Sequence, residues 1–192
     1  MLTFSVGAVM MGWLGEIPLA AHQVAIGLAS SSYMISLGIS QATTIRVSHQ
    51  LGQNDFKSLK MAVYASTHLV LLFMMTTGLI FVLARNYLPL VFTSDPQVVA
   101  VASGLLIVAA IFQMFDGLQV IMLSTLRGMT DVKIPMFMAF AAYMLVGLPT
   151  SYVFTFLLNA GPNGIWYGFL VGLGTAGLFF TLRFKHNIRK KA

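Results

Sequence analysis

The sequence predicts an all-α, polytopic membrane protein built as a bundle of six transmembrane helices. Of its 192 residues, 58% are hydrophobic and only 8% are charged, whereas a soluble domain carries about 25% charged residues. The apolar residues occur in long runs and not in the short alternations of a membrane β-barrel. Helices are therefore expected to be the spanning elements, because each one satisfies its own backbone hydrogen bonds in lipid.

A spanning helix needs about 20 mostly apolar residues. Six segments are candidates: 2–14, 20–47, 59–84, 98–126, 134–158 and 164–184. The first is short, and the apolar run follows Met1 without the basic region or cleavage site of a signal peptide. These features predict a truncated or split product. Residues 185–192 are predicted to form a basic cytoplasmic tail.

Turn-forming residues separate the six segments: 15–18, 52–55, 94–96, 128–131 and 159–164. Asp55 and Asp95 are each placed to cap the helix that follows. Pro149 is expected to kink the fifth helix. Gly164, Gly168 and Gly172 repeat every four residues, which predicts a close helix–helix seam along the sixth helix.

The basic residues are segregated by this arrangement. Ten of the eleven Lys and Arg residues fall on one side of the membrane, and only Arg85 falls on the other. By the positive-inside rule the basic side, which also holds the C-terminus, is cytoplasmic. We predict a plasma membrane location, in a bacterium the inner membrane. The net charge of +6 is thus explained without a nucleic-acid partner.

The basic run at the C-terminus either binds anionic membrane lipids or serves as a stop-transfer flank. There are no cysteines, which excludes disulfides, thiolate metal sites and cysteine catalysis. No nucleophile elbow, P-loop or zinc-ligand pair occurs in the sequence.

Asp116 is the one acid of five that lies well inside a predicted span. An ionisable residue at that depth is costly and marks a functional site by default. Gln113 and Gln119 flank it on the same face of the helix, and Phe112 lies one turn earlier. Such a carboxylate can hold a proton, a sodium ion or a cationic molecule in turn. The alternative is a protonated side chain that is hydrogen-bonded to a neighbouring helix.

Two further sets of polar residues fall inside predicted spans. His68 lines the same cavity, shuttles protons or packs between helices. Gln41 and the serines 30–32 give the second helix a polar face, which either lines a cavity or allows close packing. His22 opens that helix and is expected to have a packing or capping role.

Four segments of the chain resemble the multidrug and toxic compound extrusion family, in family order. They are Gly12-Trp13-Leu14-Gly15 with Ala20-Ala21-His22-Gln23-Val24-Ala25, the loop from Ile45 to Asp55, Asp116-Gly117-Leu118-Gln119 with Leu126 to Pro135, and Gly147-Leu148-Pro149 with Gly161 to Gly172. Together these segments span nearly the whole sequence.

The resemblance is to the C-terminal lobe, helices seven to twelve of a twelve-helix transporter. It implies a secondary active transporter, not an enzyme, that exports cationic amphipathic small molecules in exchange for sodium ions or protons. Asp116 matches the tenth-helix acid of the family's cation site. A helix-seven glutamate would fall before Met1, and Phe112 replaces a tyrosine. The resemblance also implies a partner, either the N-terminal six-helix lobe or a separate chain.

Three other functions are compatible with the helix layout. A flippase for lipid-linked oligosaccharides often uses arginines inside its cavity, whereas no Lys or Arg lies in the middle of a predicted span here. An inactive or partner-dependent membrane subunit would fit a half-length chain. An intramembrane enzyme would need Asp116 and a partner such as His68, and no reaction-specific motif supports it.

Overall fold

The computed structural model describes the backbone of residues 2–191 and the side chains of residues 3–190. Within this part there are six helices and no strand, which confirms the predicted all-α class: α1 (Leu2–Leu14), α2 (Glu16–Gly52), α3 (Phe56–Leu83), α4 (Pro96–Gly128), α5 (Lys133–Leu157) and α6 (Pro162–Lys191). A short 3₁₀ turn, Leu88–Val91, lies between α3 and α4. Met1 and Ala192 lie outside the described residues.

Helices α3, α4, α5 and α6 are each long and apolar enough to cross a membrane. Helix α1 has 13 residues and is about 20 Å long, short of the roughly 30 Å hydrocarbon layer. Helix α2 has 37 residues, and its many serines and threonines lower its mean hydropathy. Both coincide with segments that the sequence predicts as spans, although α1 is shorter and α2 is less apolar than the other four helices.

Local chemistry explains where the helices begin. Gly15 has φ 124°, a backbone conformation that favours glycine, and this turn lets α2 begin at Glu16 instead of residue 20. The Asp55 carboxylate accepts a hydrogen bond from the backbone N–H of Ser58 (3.0 Å), so it caps α3 as expected. The Asp95 carboxylate likewise accepts from the N–H of Gln97 (2.8 Å) and caps α4.

Helix α6 extends beyond residue 184 and includes most of the segment expected to be a tail. Its Arg183 Nε lies 2.7 Å from Asp131 Oδ2. Asn187 Nδ2, one turn later, donates to the same oxygen at 2.7 Å. Both contacts join the end of α6 to the loop between α4 and α5. Because the two side chains lie one helical turn apart, the shared contact favours a helical backbone beyond residue 184. The cytoplasmic position of this end stays a prediction.

Helix α4 is central and contacts α2, α3 and α6. Its approach to α2 is close: Thr44 Oγ1 donates to the Ser124 carbonyl (3.1 Å) and Ser48 Oγ to the Gly128 carbonyl (3.0 Å). A Cβ on Gly128 would lie 2.8 Å from the Thr44 carbonyl oxygen. Small and hydroxylated residues thus allow the two backbones to touch.

The buried apolar residues form two clusters, one towards each end of the bundle. Phe112 of α4 belongs to the first cluster and Val120 to the second. Asp116 lies halfway between them along the helix. Asp116 therefore has apolar packing on both sides of it along the bundle.

Helix α5 is interrupted by two π-helical segments, Ala141–Gly147 and Val153–Leu157. Such segments widen the helix and turn the following side chains to new directions. They flank the turn that holds Pro149, where the sequence predicts a kink.

The glycines of α6 pack against α5. A Cβ on Gly164 would lie 2.6 Å from the Thr155 nitrogen, and one on Gly172 would lie 3.2 Å from the Cα of Gly147. At Gly168 an added Cβ would overlap the backbone nitrogen of Ser151. The predicted glycine seam is present, and its partner is α5.

We predict that Gly168→Ala destabilises the bundle by about 1–3 kcal/mol, because the new methyl group overpacks a backbone contact. The matched control is Gly38→Ala, since a Cβ at Gly38 meets nothing within 4 Å and alanine favours a helix. Unfolding titrations of both variants in mixed detergent micelles provide the comparison. Equal stabilities for the two variants would contradict the seam.

Candidate functional site

A cavity of about 410 Å³ lies at the level of Asp116, and we call it the central cavity. Its walls come from α1, α2, α4, α5 and α6. Helix α3 contributes no residue to them. The lining residues are Thr3, Phe4, Ile26, Ala29, Ser30, Tyr33, Phe112, Asp116, Gln119, Leu123, Tyr143, Gly147, Trp166, Phe169, Gly172 and Leu173.

Asp116 is the one acid among these residues, and its exposed fraction is only 9%. No Lys, Arg or His belongs to the lining. An ionised carboxylate that is buried without a counter-ion is strongly unfavourable. The Asp116 carboxylate is therefore stable in this wall only when it carries a proton or when a cation occupies the cavity.

Two tyrosines that sequence reasoning missed share the cavity with this carboxylate. Tyr33 comes from α2, and Tyr143 comes from the first π-helical segment of α5. A phenol can donate a hydrogen bond to a carboxylate or offer its oxygen to a cation. Phe112, where the resemblance implies a tyrosine, thus shares the cavity with phenols from two other helices.

The two glutamines that flank Asp116 on α4 have different surroundings. Gln119 lines the cavity, whereas Gln113 does not and is 1% exposed. Thr77 Oγ1 of α3 donates to Gln113 Oε1 at 3.1 Å. Residues three before and three after a given position lie about 120° apart around the axis. One glutamine therefore reaches the cavity and the other reaches α3.

His68 and Gln41, the other predicted lining residues, are exposed and lie outside the central cavity. His68 belongs to α3, which contributes nothing to the walls, and its Nδ1 lies 2.7 Å from the Tyr64 carbonyl oxygen. Gln41 comes eight residues after Tyr33, about 12 Å further along α2 and turned by about 80°. The structure thus brings together Phe112, Asp116 and Gln119 and separates these two from them.

The polar face of α2 divides between the two uses that the sequence left open. Ser30 is exposed and lines the cavity. Ser32, Ser36 and Ser40 are buried within the bundle. Of the four predicted residues, Ser30 therefore lines the cavity and Ser32 is packed inside the bundle, whereas Ser31 and Gln41 are exposed and lie outside the cavity.

Aromatic rings form the wall at one end of the cavity. Phe112 meets Trp166 edge-to-face with ring centroids 5.4 Å apart, and Phe4 meets Phe169 at 5.0 Å. Behind this wall, Trp166 Nε1 donates to Nδ1 of the fully buried His22 at 3.2 Å. Aromatic faces attract cations without fixing their orientation. The cavity thus combines one carboxylate with a broad apolar and aromatic surface.

We predict that a cysteine at Ser30 reacts with a hydrophilic thiol reagent and that a cysteine at Ser36 does not. Serine and cysteine are similar in size, and the chain has no other cysteine to label. Ser30 lines the cavity, whereas Ser36 is 0% exposed. Labelling of the two variants in detergent is followed by mass spectrometry. Equal labelling at both positions would place the cavity elsewhere.

Known proteins are similar to this chain in sequence. The MatE family model matches residues 1–153. The chain is 38% identical over 187 residues to a probable multidrug resistance protein NorM of Agrobacterium fabrum, covering 94% of this chain and 40% of that protein. It is 36% identical over 186 residues to the multidrug resistance protein MdtK of Yersinia enterocolitica, covering 95% and 41%.

Solved structures show the same fold. A crystal structure of the eukaryotic MATE transporter AtDTX14 superposes with a TM-score of 0.89 at 26% identity, covering 98% of this chain and 44% of that one. An outward-facing multidrug resistance MATE family transporter also gives 0.89, at 15% identity. The chain spans about 40% of the length of the curated relatives it matches. The chain belongs to the MatE family, the multidrug and toxic compound extrusion family that its motifs resemble.

Proposed function

We propose that this chain is the C-terminal lobe of a cation-coupled multidrug efflux antiporter of the bacterial inner membrane, with Asp116 as its coupling residue. The observation that carries the proposal is a carboxylate in the wall of a cavity whose lining holds no basic side chain. The relatives named as multidrug resistance proteins support the same class of substrate.

Exchange follows from competition for one negative charge. A proton, a sodium ion or a cationic substrate can each neutralise Asp116, and occupation by one removes the attraction for the others. The aromatic wall and the apolar lining then favour amphipathic cations over small hydrated ones. Export against a gradient requires that the coupling ion displaces the substrate on the outer side.

The residues around Asp116 bear on the choice of coupling ion. Among the described residues no group of three His, Cys, Asp or Glu comes together. A sodium ion would take its other oxygens from neutral groups such as Gln119, Tyr33 and Tyr143, because hard cations prefer oxygen ligands. A proton needs only the carboxylate. The lone acid therefore favours proton coupling, whereas sodium coupling would depend on these neutral oxygens.

A lipid-linked oligosaccharide flippase is less well supported. Such a protein has to hold a phosphate group, and phosphate recognition relies on Arg or Lys side chains. The lining of the central cavity contains neither. Its one charge is negative, which repels a phosphate and attracts a cation.

We expect Asp116→Asn to abolish efflux of cationic dyes when the chain is combined with its N-terminal six-helix lobe. The amide keeps the shape of the side chain but cannot carry the exchangeable charge. Dye efflux from everted membrane vesicles is measured for each variant. The matched control is Asp95→Asn, because asparagine caps a helix as well as aspartate does. Undiminished efflux by Asp116→Asn would exclude this residue as the coupling site.

A second test uses the 192-residue chain alone in detergent. Of its two tryptophans, Trp13 is exposed and Trp166 lines the cavity. In a Trp13→Phe background, we expect binding of tetraphenylphosphonium to change the fluorescence of Trp166. Binding should weaken as the pH falls, since protonation removes the charge that attracts the cation.

The variant Asp116→Asn in the same background should bind more weakly and lose this dependence on pH. Replacing potassium by sodium at constant pH separates the two coupling ions, because sodium competes only if it has a site. Binding that keeps its pH dependence in Asp116→Asn would assign the titration to another group.

A further inference from the structure

A second cavity lies at the end of the bundle opposite to the basic residues. Its volume is about 530 Å³, and it is formed by the loop after α3 and the first turns of α4. We call it the Arg85 groove. Its polar lining includes Arg85, Asn86, Ser94 and Ser103, and its apolar lining includes Val99 and Ile107.

Arg85 is the exception to the charge segregation of the chain. It follows the end of α3, whereas the other ten basic residues lie towards the opposite ends of the helices. Its backbone is held in place, because Ser103 Oγ donates to the Arg85 carbonyl at 2.9 Å. The guanidinium therefore extends from a fixed point beside the groove and remains exposed.

The length of the groove is close to half of the roughly 30 Å hydrocarbon layer of a membrane. Its lining runs from Arg85 in the loop to Ile107 of α4, eleven residues beyond Pro96, which is about 16 Å along the axis. The polar groups lie at the loop end. At the other end Ile107 is 38% exposed. A molecule with a charged head and an apolar chain would meet matching surfaces along this length.

We propose that the Arg85 groove binds the phosphate of a membrane glycerophospholipid, with an acyl chain along α4. A guanidinium is the side chain best suited to a phosphate, since it donates paired hydrogen bonds. The Asn86 amide and the Ser94 hydroxyl can supply further donors. The nearby Asp95 carboxylate, which caps α4, disfavours a second negative charge. The preferred headgroup is therefore a singly charged phosphodiester. This site is separate from Asp116 and does not rest on the proposed transport.

Photo-crosslinking of the full chain in detergent tests the site. The probe is a phosphatidylglycerol with a photoreactive group in its acyl chain, and peptide mapping locates the adducts. We expect adducts between residues 96 and 107 in the unmodified chain and at least about fivefold fewer in Arg85→Gln, because a charge-assisted hydrogen bond is lost. Arg85→Lys should keep part of the labelling. Arg46→Gln, an exposed arginine at the opposite end, should leave it unchanged.

Two further arms separate the sources of the binding. A diacylglycerol probe with the same acyl chains but no phosphate should label this segment weakly and equally in all variants. Millimolar inorganic phosphate should not displace the lipid probe if the acyl chain contributes. Complete displacement would overturn the lipid assignment and leave a site for free phosphate. Equal labelling of the unmodified chain and Arg85→Gln would overturn the site itself.

Discussion

The structure depends on the cost of one carboxylate at the middle of a membrane-spanning helix. Asp116 lies between two apolar clusters, and no basic side chain lines the cavity around it. In such surroundings a negative charge is stable only with a partner. The bundle has a cavity beside the carboxylate, where another protein could place a basic side chain to form a fixed ion pair. On the proposed function, the partner is a proton or a cation that comes from outside the protein and can be exchanged.

Close seams elsewhere in the bundle make that cavity possible. Small residues bring α2 against α4 at Gly128 and α5 against α6 at Gly168. These contacts hold α2 and α5 beside the central cavity, so that Tyr33 and Tyr143 line it together with Asp116. The glycines and serines are thus not at the site, yet they fix the distances between the helices that form it.

The helices and the central acid could be predicted from the sequence because each depends on local composition. A long apolar run predicts a span, and a single acid within it is conspicuous. The tyrosines could not be found in this way, since Tyr33 and Tyr143 belong to helices far apart in the sequence. The π-helical segments of α5 add to the difficulty, because the register of a regular helix does not give the direction of Tyr143.

Gln113 and His68 illustrate a second limit. Both are polar residues in apolar helices, and hydropathy alone assigns them the same role as Gln119. The difference arises from which neighbour each residue meets: Gln113 faces Thr77 of α3, and His68 belongs to a helix that forms no part of the cavity wall. In a bundle of six helices, the helix packing decides which polar residues share a cavity.

The central cavity also suggests why one site could accept many cations. Attraction to a single carboxylate depends on charge and distance more than on the shape of the ligand. The aromatic wall adds contact area without directional hydrogen bonds. Its Trp166 is held by the buried His22, so the wall is ordered although its contacts are unspecific. On the proposed function, the carboxylate couples the two transported species, because the substrate and the coupling ion both bind to it. The aromatic rings contact only the substrate and allow the site to accept many different cations.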